Sequence, residues 1–270
     1  MKIADWGRLN GEVVVFGGPY SNRQAVEALR ARTCDAAHHI CTGDVVAYCA
    51  DPCGTLDVIR TMGARVIAGN CERQLASGAA DCGCGFEDGT ACDLLSANWF
   101  GYASATIDAQ ARAWMADLPD WAVFTHAARR YVVVHGAATD VARFIWGSTV
   151  DAEFKNEINI IEEEVGPVDV VISGHSGIGF EKQVGSHHWI NAGVIGMPPH
   201  DGRAQTEYVR LSEQGAVSFH RLDYDAPAAA AQMRAAGLPE GYAQALTSGW
   251  WPSEDVLPAA LRRTHFLARG

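Results

Sequence analysis

Four short stretches of this 270-residue chain end in side chains that offer lone pairs: Thr42-Gly43-Asp44, Gly69-Asn70-Cys71-Glu72, His135-Gly136 and Gly174-His175. A carboxylate, an amide oxygen and two imidazoles form a donor set suited to a borderline divalent ion such as Mn, Fe(II) or Zn. The adjacent glycines let the backbone turn sharply enough to bring each donor inward. Taken singly, each residue is better explained as a polar cap on a loop. Their shared position, just past an apolar run, is what points to a common site.

Those runs, at residues 13–16, 39–41, 64–69, 131–136 and 168–174, are rich in Val and Ile and read as strands of a largely buried sheet. Helical periodicity separates them at about residues 22–32, 52–62 and 152–165. In such alternating α/β chains, groups beyond the carboxyl ends of the strands meet in one crevice. Beyond Gly174 the pattern changes to hairpins at about 180–190 and 206–222, with turns at Gly185-Ser186 and Gln214-Gly215. Residues 73–128 break the rhythm, being Gly- and Cys-rich and then helical near 108–117, and read as an insertion or lid. An Ala-rich helical tail of about 225–270 carries Gly249-Trp250-Trp251-Pro252, where the two indoles are expected to pack the tail on the core or on a second copy of the chain. No internal repeat interrupts the chain, so residues 1–270 are expected to form one domain.

The hydrophobic fraction of 48% and charged fraction of 20% fit a globular protein. A net charge of -11 argues against a nucleic-acid duplex as partner. It leaves room for a small phosphorylated ligand, because a bound cation can locally outweigh the global field. The N-terminus lacks the apolar core of a secretory signal, and no apolar run approaches the roughly 18 to 20 residues that span a bilayer, so a cytoplasmic protein without membrane contact is expected. All eight cysteines fall between residues 34 and 92, which in that setting favours reduced thiols or a metal clip over disulfides. Cys82, Cys84 and Cys92 could hold a structural zinc, or could simply be small buried residues.

The order of Gly-Asp, Gly-Asn-x-Glu, His-Gly and Gly-His, followed by Ile190-Asn191-Ala192-Gly193-Val194-Ile195-Gly196-Met197-Pro198-Pro199, resembles the calcineurin-like metallophosphoesterases, in particular their small bacterial phosphodiesterase-type branch. The resemblance extends from about residue 13 to 225. It implies an α/β fold, the four-layer α/β/β/α sandwich, with two metal ions at the carboxyl ends of the strands. Asp44, Asn70, His135 and His175 fall where the family holds its second metal. The first metal's Asp-x-His is replaced by Gly18 and Tyr20, and the last histidine of its Gly-His-x-His by Gly177. One metal site is therefore expected to be complete, and the other to retain only the shared Asp44.

Many relatives carry a proton-donating histidine where Cys71 stands. Cys71, and His200 in the Pro198-Pro199-His200-Asp201-Gly202 loop, are the residues expected to assist the leaving group. His38, His39, His187 and His188 are assigned to structure or surface, and the Gly17-Gly18 loop is a further place where a ligand phosphate could rest. The implied activity is metal-dependent hydrolysis of a small phosphoester. Two rivals stay open: a catalytically impaired binder of a nucleotide or phosphate, and a different chemistry built on one redox-capable metal.

Overall fold

The computed structural model describes residues 1–87 and 89–263. In chain order the elements are β1 (Ile3–Arg8), β2 (Val13–Phe16), α1 (Arg23–Arg32), β3 (His38–Cys41), α2 (Pro52–Thr61), β4 (Arg65–Val66), α3 (Asn70–Ser77), α4 (Ala91–Thr106), α5 (Ala109–Asp117) and β5 (Trp121–His126). There follow β6 (Arg129–Val133), α6 (Asp151–Val165), β7 (Val170–Ser173), β8 (Phe180–Val184), β9 (His187–Asn191), β10 (Thr206–Leu211), β11 (Val217–Leu222), α7 (Ala226–Ala235) and α8 (Glu240–Ser248).

The strands form two sheets, ordered β1-β5-β6-β7-β9-β8 and β11-β10-β2-β3-β4. Apolar side chains on both faces of each central strand explain the stacking. Val13 and Val15 enter the core shared by the two sheets, whereas Val14 and Phe16 face a second core with α1, α2, α7 and α8. On β7, Val170 and Ile172 likewise join the shared core, and Val171 packs with Phe154, Ile158 and Ile161 of α6. Two sheets face to face with helices outside are the expected α/β/β/α layers. The helices start on recognisable caps: Asn22 Oδ1 accepts from Ala25 N at 3.1 Å, and Asp51 Oδ1 accepts from Gly54 N at 2.9 Å with Pro52 as the first helical residue.

The range 73–128, expected as an insertion or lid, divides: Cys84, Phe86 and Cys92 line the cavity over Asp44 and His175, while its end joins the sheet. Its first residues complete α3, its middle forms α4 and α5, and its end is β5, which lies between β1 and β6 in the six-stranded sheet. Ala122 and Phe124 point into the inter-sheet core and Trp121 and Val123 into the α6 core, so this part of the chain belongs to the framework. The tail contains α7 and α8 as expected. Its last residues, 264–270, and Asp88 within the lid range, lie outside the described residues. Among the described residues no helix is long and apolar enough to cross a membrane.

Candidate metal centre

The crevice above the strands' carboxyl ends is built from four short loops. Asp44 follows β3, Asn70 opens α3 after β4, His135 follows β6 and His175 follows β7. Asp44 and His175 both adopt left-handed backbone conformations, with φ of 56° and 59°, uncommon for non-glycine residues and frequent where a side chain is aimed at a site. Close approach explains Gly69: a Cβ there would lie 2.3 Å from Asp44 Oδ1 and 2.8 Å from His135 Cε1.

The side chains converge on His135 Nε2. Asn70 Oδ1 lies 3.1 Å from it, Asp44 Oδ2 3.2 Å and His175 Nδ1 3.2 Å, while His175 Nδ1 and Asp44 Oδ2 are 4.0 Å apart. His135 Nδ1 donates to the Thr42 carbonyl at 2.6 Å, which leaves the Nε2 lone pair facing the centre when the ring is neutral. Asn70 Nδ2 donates to the Cys82 carbonyl at 2.9 Å, so its oxygen also points inward. Four lone-pair atoms thus face one another in a buried space, where one proton on Nε2 can serve only one of these contacts. A cation with bonds of about 2.0–2.2 Å sets its ligand atoms about 3–4 Å apart, so these residues fit a divalent ion. Asp44, His135 and His175 are the cluster of titratable metal-ligating side chains found among the described residues.

The charges agree with that fit. Burial opposes ionisation of Asp44, but the charge and hydrogen bond of His135, with His175 behind, outweigh it and hold the carboxyl at about 2. For His135, burial would lower the pKa, but the charge and hydrogen bond of Asp44 outweigh it and the net shift is upward. Burial, then the neighbouring His135, push His175 down to about 4, keeping it a neutral ligand. Its far nitrogen, Nε2, is buried without a hydrogen-bond partner among the described residues.

Glu72 is the structural residue that sequence reasoning did not single out, although it stands in the Gly-Asn-x-Glu stretch. Fully buried, it accepts from Asp44 N and Val45 N at 2.7 Å each and from Gly69 N at 2.9 Å, tying the Asp44 and Asn70 loops together. Burial, then the charge of Asp44, push its carboxyl up to about 7.

Cys71 is also buried, and its backbone N donates to Asp44 Oδ1 at 3.2 Å. Burial, then Asp44, push its thiol well above the ordinary range. Cys71 is absent from the walls of the cavity that opens over Asp44 and His175. His200, expected to assist the leaving group, is fully buried; its Nδ1 accepts from Trp251 N at 2.8 Å and its Nε2 lies 2.8 Å from Glu254 Oε1. With both ring nitrogens engaged and its ring outside the cavity, His200 fastens the tail.

Of the two readings kept for Cys82, Cys84 and Cys92, a structural zinc or small buried residues, the zinc is disfavoured by a Cys82–Cys84 disulfide, which engages both sulfurs. Cys92 is a free buried cysteine on the cavity wall. Gly18, Tyr20 and Gly177 lie beside the centre, where the Tyr20 and Trp251 rings take up the side-chain space of the two glycines. The Tyr20 ring occupies the space a Cβ on Gly18 would enter, at 2.5 Å, and the Trp251 ring lies 3.2 Å from where a Cβ on Gly177 would stand.

Among solved structures, a metallophosphoesterase from Sphaerobacter thermophilus shares 18% identity with a TM-score of 0.69, covering 89% of this chain and 100% of that one. The PH1004 protein from Pyrococcus horikoshii OT3 shares 16% identity with a TM-score of 0.75, covering 89% of this chain and 99% of the other. These likenesses establish the fold. No curated protein sequence matches this chain. The family model described as the calcineurin-like phosphoesterase superfamily domain matches residues 20–215, well over half of the chain, and the protein belongs to that superfamily.

Proposed function

We propose that this protein is a phosphoesterase working with a single divalent ion, Mn, Fe or Zn, held by Asp44, Asn70, His135 and His175. The observation that carries the reading is the convergence of three lone-pair atoms, Asn70 Oδ1, Asp44 Oδ2 and His175 Nδ1, on a fourth, His135 Nε2. The ion would supply a Lewis acid for a phosphoryl oxygen and a nucleophile source near neutral pH. The protein's own work is to hold that centre: the Thr42 carbonyl orients His135, the Cys82 carbonyl orients Asn70, and Glu72 fixes the backbone of both acidic and amide loops. Cys71 contributes through its N–H on Asp44, and His200 through the wall it anchors. The rings around the centre limit water and strengthen each electrostatic contact inside.

The test is hydrolysis of small phosphomonoesters and phosphodiesters by protein loaded with Mn, Fe or Zn, with His135→Ala as control. Metal-dependent turnover lost in the variant is the expected result. Folded, metal-loaded protein no more active than His135→Ala would overturn it. One observation favours the non-catalytic alternative: Gly18 and Gly177 carry no side-chain donor, and burial pushes the Tyr20 phenol well above its ordinary range, which disfavours the phenolate a second ion would need and with it a two-metal clamp on attacking and leaving oxygens. That reading expects tight phosphate binding without turnover.

A further inference from the structure

A narrow cavity of about 60 Å³, room for about four to six waters, opens over Asp44 and His175. Its walls include Tyr20, Tyr48, Phe144, Tyr242 and Trp251, and among the described lining residues there is no Lys or Arg. The rings form a connected surface. Tyr48 lies 4.7 Å from Tyr20 and 4.8 Å from Tyr242, and Phe144 lies 4.5 Å from the His175 ring, all between ring centroids. The Trp251 wall is held in place by its Nε1–H, which donates to the Pro198 carbonyl at 2.7 Å, and by its backbone bond to His200.

We propose that this cavity is a subsite for an uncharged aromatic or other apolar planar group carried by a singly charged phosphoester. The inference rests on the single-metal reading above and extends it to the substrate. One divalent ion beside the Asp44 carboxylate leaves at most one net positive charge, and less where the buried Glu72 carboxyl is ionised. That balances a phosphodiester monoanion, whereas a dianion or polyphosphate would keep excess charge against apolar walls that contain no cation to meet it. The phenols of Tyr20, Tyr48 and Tyr242 can add neutral hydrogen-bond donors without adding charge. Positions 18 and 177 fit the same design. Their side-chain space is filled by Tyr20 and Trp251, so the glycines that offer no ligand also make room for the aromatic wall.

The experiment compares calorimetric binding of the monomethyl esters of phenylphosphonate and methylphosphonate to the Mn-loaded protein, both being monoanions whose methoxide is a poor leaving group. Burying a phenyl group in this cavity is expected to tighten binding about tenfold to a hundredfold. Val256→Trp, which fills the cavity from its tail side, and Trp251→Ala, which removes a wall, should each erase the phenyl advantage while the methyl compound binds as before. Equal binding of the two esters, tighter binding of dianionic phenylphosphonate than of its monoester, or a phenyl advantage intact in both variants would overturn the inference. Hydrolysis of bis(4-nitrophenyl) phosphate separates the two readings: a phenyl preference without turnover sinks the activity and keeps the subsite, and turnover without preference does the reverse.

Discussion

Gly69→Ala isolates the geometry of the centre from the chemistry of its ligands. The backbone at Gly69 has φ -86° and ψ -178°, which alanine adopts freely, so the substitution carries no backbone strain. The new Cβ would stand 2.3 Å from Asp44 Oδ1, where ordinary contact begins at 3.4 Å, so the carboxylate must retreat by 3.4 - 2.3 = 1.1 Å. Retreat is resisted, because Asp44 Oδ1 accepts from Cys71 N and the Asp44 backbone N is held by Glu72. A metal ligand tolerates displacements of about 0.2 Å, and a misplacement of about 1 Å costs about a hundredfold in affinity or rate, about 2.7 kcal/mol. Calorimetric titration with Mn should therefore show about hundredfold weaker binding, with phosphoesterase turnover falling in parallel. Urea unfolding of the metal-free protein should show a loss of about 1–3 kcal/mol from overpacking. A folded variant that binds Mn like the wild type would refute the placement of Asp44 at the centre.

Other substitutions probe the surroundings. Gly177→Ala should cost about 1–2 kcal/mol in urea unfolding, because φ is 79° and Trp251 lies 3.2 Å from the new methyl, while metal content stays unchanged. His200→Ala should destabilise by about 2–4 kcal/mol, since it opens a buried space, strips Trp251 N of its acceptor and leaves Glu254 with Arg263 alone, again with metal content retained. A histidine whose folded pKa is depressed adds stability that is present above its unfolded value, near 6.5, and lost as pH falls through the folded value, here about 4. The stability of metal-free wild type relative to His175→Gln should therefore fall by about 3 kcal/mol between pH 6.5 and 4, read from paired unfolding curves. A difference that does not change with pH would place His175 outside the buried centre.

The donor residues were legible because each stands as a polar side chain at the end of an apolar run, a position whose meaning depends only on how α/β strands deliver their carboxyl ends. Helices α1, α2 and α6 were legible within a residue from their period and caps. Strand β1, an edge strand with the sequence Ile-Ala-Asp-Trp-Gly-Arg and mostly exposed or half-buried residues, lacks the apolar run that marks the central strands. Strand β5 is apolar on both faces and follows directly on α5, so no period-two alternation sets it apart from the helical segment before it. His200 sits in a loop of Pro, Asp and Gly that reads as exposed, and only the docking of Trp250 and Trp251 from fifty residues downstream buries it. The aromatic cavity was out of reach for the same reason, because its rings come from distant parts of the chain. The Cys82–Cys84 link was missed because placing the protein in a reducing compartment set the prior against it.

The central claim, one complete metal site made by Asp44, Asn70, His135 and His175 beside a position without ligands, is tested most directly by metal stoichiometry. Metal-stripped protein titrated with Mn or Zn, with the bound ion counted by elemental analysis, should take up one equivalent per chain. Asn70→Ala and His135→Ala should each abolish or greatly weaken that uptake while remaining folded. Two tightly bound equivalents in the wild type, or one equivalent that survives both substitutions, would contradict the account.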